Sequence, residues 1–252
     1  MQLCLSARMF ASGRDFSMPL IEFMDFAKRL AYDGIAIRPG QIDGTTSAAN
    51  VEGIAEALRT RELTVSFGRG GSLSDVPLDE HYALLNHMVT IGCRYVEFFV
   101  WKEEEIPAIQ SICDRAAERD IFISPQVHTR ALHDTVPRSL DFVKRVDRPN
   151  LRLNFDAAHL LIQKQEILNG DAVRALEGHI GTVCVQNYRL DGDQNVTLLP
   201  GDTSGVDFPG VVAALKEIGW DGAITHMAPR HPDVDDETLC RQYVEVIRPL
   251  MS

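Results

Sequence analysis

A carboxylate and an imidazole stand three residues apart in Asn154-Phe155-Asp156-Ala157-Ala158-His159, where a short apolar run ends. Aspartate offers hard oxygen donors, and histidine a nitrogen that titrates near neutral pH. The pair therefore suits metal ligation or acid–base work on a small polar substrate. Polar residues end other apolar runs in the same way: Arg38, Arg69, Glu97 with Trp101, Gln126 with His128, Gln186 with Arg189, and His226 beside Met227. Each has a plainer role when taken alone. An Asp there caps the helix that follows, a His satisfies a structural hydrogen bond, and an Arg is solvated. Their recurrence at the ends of successive runs is what points to one shared site.

The elements that must position these residues repeat along the chain. Apolar or β-branched runs occupy residues 3–7, 34–38, 64–68, 95–100, 121–126, 151–156, 182–187 and 223–227, most starting about 30 residues apart. Segments with apolar residues at helical spacing lie between them, for example Leu20, Phe23, Met24, Ala27 and Leu30, or Leu84, Leu85, Met88 and Ile91. Ser17 before Pro19 and Thr135 before Pro137 read as helix entrances. Gly34, Gly92 and Gly219 or Gly222 fall where helices give way to strands. Eight strand–helix units in this length predict a single α/β domain over residues 1–252, a closed (β/α)8 TIM barrel, with chemistry gathered where the strands run into the following loops. An open doubly wound sheet would carry a Gly-rich phosphate loop after its first strand. Gly68-Arg69-Gly70-Gly71 matches neither the dinucleotide nor the P-loop pattern. Residues 191–205 form an extra polar segment. Asp191, Asp193 and Asn195 faintly echo a calcium loop, but Val196 stands where that loop needs glycine and Asp202 where it prefers a bidentate Glu. A solvated surface loop is the better reading.

Composition narrows the partners. The 252 residues carry 25 Lys+Arg against 36 Asp+Glu, a net charge of −11, with 45% hydrophobic and 24% charged residues. Such a chain can bury enough apolar surface to offset its ordering entropy. Its acidity argues against nucleic acid as a partner, since binding phosphates needs clustered Lys and Arg. No apolar stretch is long enough for a membrane span. The opening residues carry Arg8 among apolar neighbours and read as a first strand rather than a signal peptide. The five cysteines are widely spaced, odd in number and without a CxxC pair, so they read as core thiols in a cytoplasmic protein.

Several stretches together carry a resemblance to a known family. They are Ala31-Tyr32-Asp33-Gly34-Ile35-Ala36-Ile37-Arg38, Ile91-Gly92-Cys93-Arg94-Tyr95-Val96, residues 149–159, and Gly205-Val206-Asp207-Phe208-Pro209-Gly210 leading to Gly219-Trp220-Asp221-Gly222. Over nearly its whole length the chain resembles the xylose isomerase-like TIM barrels, the sugar phosphate isomerase/epimerase superfamily with the AP endonuclease 2-like fold. The resemblance implies a divalent metal (manganese, zinc or magnesium) held by a Glu on strand five, an Asp on strand six, a His on strand seven and a Glu on strand eight. The two Glu residues also move protons between sugar carbons. The corresponding residues here are Gln126, Asp156, Gln186 and Met227, so only Asp156 is the family residue, while His159 matches a substrate-contacting histidine. A neutral Gln cannot act as a general base, and the Met thioether suits soft metals. The endonuclease branch's trinuclear zinc site lacks counterparts for several ligands.

Two forms of the site follow. His128, two residues beyond Gln126, lies on the same side of an extended strand, and a bulge could aim His226 inward. His128, Asp156, His159 and His226 would then hold zinc, manganese or iron. Without metal, His128 and His159 would serve as acid and base. His128 and His159 are accordingly the catalytic candidates. Gln126, Gln186, Arg189, Glu97 and Trp101 are the substrate-binding candidates, and Asp156 and His226 the metal candidates. The metal site is expected to be weaker than the family's, or lost. Arg189 and Arg230 lie where many barrels bind phosphate, although solvated arginines are the plainer reading. The expected function is that of a sugar isomerase/epimerase-like enzyme acting on a small carbohydrate or polyol. The alternatives are a lyase or dehydratase on a sugar-derived acid, and a non-catalytic sugar- or partner-binding barrel. The sequence leaves room for a homo-oligomer.

Overall fold

The structure, a computed structural model, describes residues 1–164 and 167–252. Eight parallel strands form its centre: β1 (Gln2–Ser6), β2 (Gly34–Ile37), β3 (Thr64–Arg69), β4 (Tyr95–Glu97), β5 (Phe122–Ile123), β6 (Leu153–Asp156), β7 (Ile180–Val185) and β8 (Ala223–His226). They pair in the order β5-β4-β3-β2-β1-β8-β7-β6. Bridges from Ile123 to Leu151 and from Gln126 to Asn154 join the two ends. Each run expected from the sequence overlaps one of these strands, and the architecture is the TIM barrel.

Around it run α1 (Leu20–Arg29), α2 (Ala48–Thr60), α3 (Leu78–Thr90), α4 (Ile106–Ala117), α5 (Val136–Val146), α6 (Ala157–Ile162), α7 (Asn169–Ala175), α8 (Phe208–Glu217) and α9 (Asp236–Met251). Their apolar stripes face the strands. In α5, for instance, Val136, Phe142 and Val146 are buried while Lys144 and Arg145 lie in its last turn. Burying one such aromatic or aliphatic side chain contributes about 1.5–3 kcal/mol, so the ring of helices holds the barrel closed. Thr135 caps α5 by accepting from the Arg138 N–H. Ser17 does not cap α1, whose N-cap is Pro19; the Ser17 hydroxyl instead donates to the Phe10 carbonyl.

Strand alternation decides which residues see the barrel interior. Thr225 faces inward, donating to Ser66 across the barrel, and Ser124 meets Thr182 in the same way. Above them Ala36, Phe67, Cys184 and Met227 form a small apolar cluster separate from the helix-facing core. On β3, Val65 pairs with Ile35 but Gly68 with Ile37, so one extra residue is inserted there. This bulge shifts the parity, and Phe67 and then Arg69 point inward where Ser66 already does.

Two local expectations need correction. Residues 191–205 are not simply a loop, because Tyr188–Asp191 pairs antiparallel with Gln194–Thr197 in a hairpin over the mouth. Gly34 does not end a helix; it opens β2, where a Cβ would come 2.4 Å from the Thr64 carbonyl oxygen. The left-handed residue after α1 is Ala31, at φ 62°. No helix among the described residues is long and apolar enough to cross a membrane.

Candidate active site

Three strand exits meet on one carboxylate. Gln126 Nε2 donates to Asp156 Oδ2 at 2.8 Å, and Gln186 Nε2 donates to the same oxygen at 2.6 Å. The other oxygen, Oδ1, accepts from the Ala158 N–H at 3.1 Å and so caps α6. Asp156 thus fills both the capping role and a place in the site, one oxygen for each. Burial pushes its carboxyl up to about 6 even though the Gln186 and Gln126 amide donors act in the opposite direction. The amide carbonyls turn toward arginines. Arg8 Nη1 donates to Gln186 Oε1 at 2.5 Å and to the Met227 carbonyl at 2.9 Å. Arg69 Nη2 reaches Gln126 Oε1 at 3.4 Å. This fixes both amides, because a flipped amide would aim its N–H groups at a guanidinium.

Beside this group lie two imidazoles. The His128 and His159 rings are 3.9 Å apart, tilted by 40°. Thr129 sorts their tautomers. Its carbonyl lies 2.9 Å from His128 Nδ1 and can only accept, so Nδ1 carries the proton and Nε2 keeps a free lone pair. Its backbone N–H points at His159 Nδ1 from 3.5 Å and its hydroxyl from 2.9 Å, so that nitrogen accepts and Nε2 carries the proton. Burial, then the neighbouring His159 ring, holds His128 down at about 4. Burial, then the guanidiniums of Arg8 and Arg69, holds His159 down at about 3. Both rings are neutral at pH 7, one presenting an acceptor and the other a donor.

The walls suit a small polar molecule. A cavity of about 180 Å³ is lined by Arg8, Arg69, Phe99, Gln126, His128 and His159, among others. It shares Arg8, Trp101, His128 and His159 with an outer cleft of about 510 Å³ that Tyr188 and Asn195 of the hairpin also line. Phe99 and Trp101 stack at 4.9 Å, and Arg69 lies over the Phe99 ring at 4.6 Å. A larger cleft of about 730 Å³ beside α1 and α2 has only Arg14 and Asp15 as charged lining residues and no histidine, so the smaller cavity is the one equipped for chemistry.

Not every residue singled out in the sequence arrives here. His226 is corrected. Because Thr225 faces the interior, the next side chain must face the helices, and His226 lies buried between Tyr32, whose hydroxyl is 2.8 Å from Nδ1, and the Tyr243 ring at 3.7 Å. It cannot share a ligand with Asp156. Arg189 is corrected too, since hairpin alternation turns Tyr188 toward the cleft and leaves Arg189 exposed. Glu97 is fully buried and bound to Arg69 at 2.5 Å and Asn154 at 3.2 Å, a counter-charge below the cavity rather than a lining residue. Arg230 pairs with Asp236 at the surface. The sequence reading missed Arg8, Thr129 and Tyr188. Arg8 could have been found by the rule that found the others, as the first charge after an apolar strand.

Residues 24–250 match the family described as xylose isomerase-like TIM barrel. The chain belongs to that family. A 3-dehydroshikimate dehydratase of Bacillus anthracis is 32% identical over 59 residues, 23% of this chain and 21% of that protein. An L-ribulose 3-epimerase of Methylomonas sp. (strain DH-1) is 30% identical over 145 residues, 55% of this chain and 47% of that protein. The matches thus span less than half the length of these curated relatives. A xylose isomerase domain protein of Alicyclobacillus acidocaldarius superposes with a TM-score of 0.81 at 15% identity, covering 99% of this chain and 98% of that one, which is a likeness of fold.

For a xylose isomerase-like barrel, the donor set here does not fit the divalent metal that the family implies. Asp156 is the only carboxylate among the four ligand positions, and both its oxygens already accept hydrogen bonds. The glutamine carbonyls, the remaining hard donors, face Arg69 and Arg8. A cation placed there would meet two guanidiniums with little negative charge to offset it.

Proposed function

We propose that this barrel is a sugar isomerase/epimerase-like enzyme acting on a small carbohydrate or polyol derivative, and that His128 and His159 make its proton transfers without a metal. The reading is carried by the two imidazoles, set in opposite tautomers by one residue, Thr129, at the wall of the cavity that Gln126 also lines. In it, His128 Nε2 takes a proton from the carbon beside a substrate carbonyl, and the His159 Nε2–H donates to the oxygen on which charge develops. Positioned acid–base groups of this kind contribute about 10²–10⁴-fold to a rate. Gln126 and Gln186 orient hydroxyls, Asp156 holds both amides in place, and the Phe99–Trp101 stack covers an apolar face of the sugar ring. Because both rings lie on one side of the cavity, a shift between neighbouring carbons on one face is favoured over inversion at a single carbon, which needs groups on both faces.

The test is incubation in D2O with a panel of ketoses, aldoses, polyols and sugar acids, followed by NMR. Deuterium should enter at the carbon beside the carbonyl of at least one panel member, in the presence of EDTA. His128→Gln should lower that exchange by about 10²-fold or more with unchanged melting behaviour. Binding without exchange or conversion would favour a non-catalytic sugar-binding barrel.

A further inference from the structure

The mouth carries more positive charge than its own acids neutralise. Arg8, Arg38 and Arg69 follow or end β1, β2 and β3, while the buried acids near them are Glu97 and Asp156. Glu97 is taken up by Arg69 and Asn154, and Asp156 by two amides and a backbone N–H. Arg8 Nη1 is left with neutral acceptors, Gln186 Oε1 and the Met227 carbonyl. Arg38 Nη1 and Arg69 Nε are buried, and no described residue accepts from either. Burial, then the like charge of Arg69, pushes the Arg38 guanidinium down to about 10. A buried cation without an anionic partner is costly, and three guanidiniums against two carboxylates leave one positive charge. That charge lies beside the cavity, which Arg8 and Arg69 line together with both histidines. A guanidinium presents parallel N–H groups that match a carboxylate in two-point contact.

From this excess charge we propose that the substrate is a monoanionic sugar acid, its carboxylate held chiefly by Arg8 with Arg69 beside it, in a site where these guanidiniums supply the positive charge that a metal would otherwise bring. The proposal rests on the proton-transfer reading above and narrows its substrate to one charge class. Binding the carboxylate would neutralise the mouth and give Arg8, whose acceptors are neutral, the anionic partner it lacks. The carbonyl to be enolised would then lie further along the sugar, toward His128 and His159.

The experiment is calorimetric titration of EDTA-treated, tag-free protein with matched pairs: D-gluconate against D-glucitol, D-glucuronate against D-glucose, and D-galacturonate against D-galactose. D-fructose 6-phosphate and inorganic phosphate form a separate arm. At least one sugar acid should bind tenfold or more tightly than its neutral partner, with the affinity unchanged on adding manganese. Arg8→Gln should weaken that binding at least tenfold, Arg8→Lys less, and the surface variant Arg59→Gln not at all. Retained melting temperatures separate lost binding from lost folding, and Arg38→Gln, which leaves the cavity wall intact, should weaken binding more modestly. Neutral sugars binding as well as the acids, the phosphate arm binding more tightly than every acid, or the absence of binding by any sugar acid would each overturn the proposal. The two readings fail separately. A sugar acid that binds but shows no exchange in D2O contradicts the proton-transfer reading alone. A neutral sugar that is converted while the acids do not bind contradicts the charge class alone.

Discussion

The two sides of the barrel mouth are built from opposite chemistry. β1 to β3 lead into Arg8, Arg38 and Arg69, while β5 to β7 lead into Gln126, His128, Asp156, His159 and Gln186. On the arginine side the charges are permanent, and only Arg69 has a carboxylate, Glu97, to itself. On the other side the groups are neutral or weakly acidic, and each is set by a hydrogen bond with a neighbour. The two sides meet where Arg8 reaches Gln186 and Arg69 reaches Gln126. Fixed cations on one side thereby orient the amides that hold the carboxylate on the other. The mouth in this way keeps a positive charge that is carried by side chains.

The largest expected break in this comparison comes from leaving an arginine without its acid. Glu97→Leu strips Arg69 of its buried partner and should cost about 3–5 kcal/mol in urea denaturation. Adding Arg69→Met should recover a large part of that loss, since the pair together is worth far less than the cost of stranding one member. A double variant no more stable than Glu97→Leu would show that Arg69 is not held by Glu97.

A smaller effect follows from pH. Buried His128 is held at about 4, and His133, His159 and His226 at about 3. Each binds its proton more weakly folded than unfolded, so each contributes stability above pH 6.5 that is lost as the pH falls toward its folded value. Asp156 runs the other way. Raised to about 6, it favours the folded state below pH 3.8, and this contribution is lost as the pH rises through 6. The histidines outnumber it, so the melting temperature should fall between pH 6.5 and 4, by about 1 kcal/mol of stability per pH unit for each imidazole that stays neutral. His226→Gln should flatten that slope without touching substrate binding, because His226 belongs to the helix layer. A flat profile would contradict the burial argument.

The smallest effect is expected at Arg189. Exposed on the hairpin, Arg189→Gln should change stability by less than about 0.5 kcal/mol and leave ligand affinity unchanged, while Tyr188→Phe should alter affinity measurably. The reverse result would place the hairpin the other way round.

Much of the architecture was legible because it depends on periodicity. Eight apolar runs separated by helical stripes leave little besides the barrel. The meeting of Gln126, Asp156 and Gln186 was legible for the same reason, as each lies at or just past a strand end, two residues above another inward-facing position. What escaped depended on parity and on local turns. His226 was misplaced because no bulge interrupts β8, so its alternation carries through from Thr225. Arg69, named from the end of its run, does face the mouth, but by way of a bulge in β3 that no composition rule would reveal. Arg189 was misread because a polar stretch folded into a hairpin. Arg8, in a short 3-10 turn directly after β1, lay within reach of the strand-end rule, and only its partner Gln186 across the mouth needed the structure.

Arginine side chains at the mouth, in place of a bound cation, are the central feature of this site. Titration of EDTA-stripped, tag-free protein with Mn2+, followed by calorimetry and water-proton relaxation, tests this most directly. The predicted result is no stoichiometric binding up to about 1 mM, a concentration corresponding to only about 4 kcal/mol of affinity. One manganese bound per chain at micromolar concentration, and lost in Asp156→Asn, would contradict it.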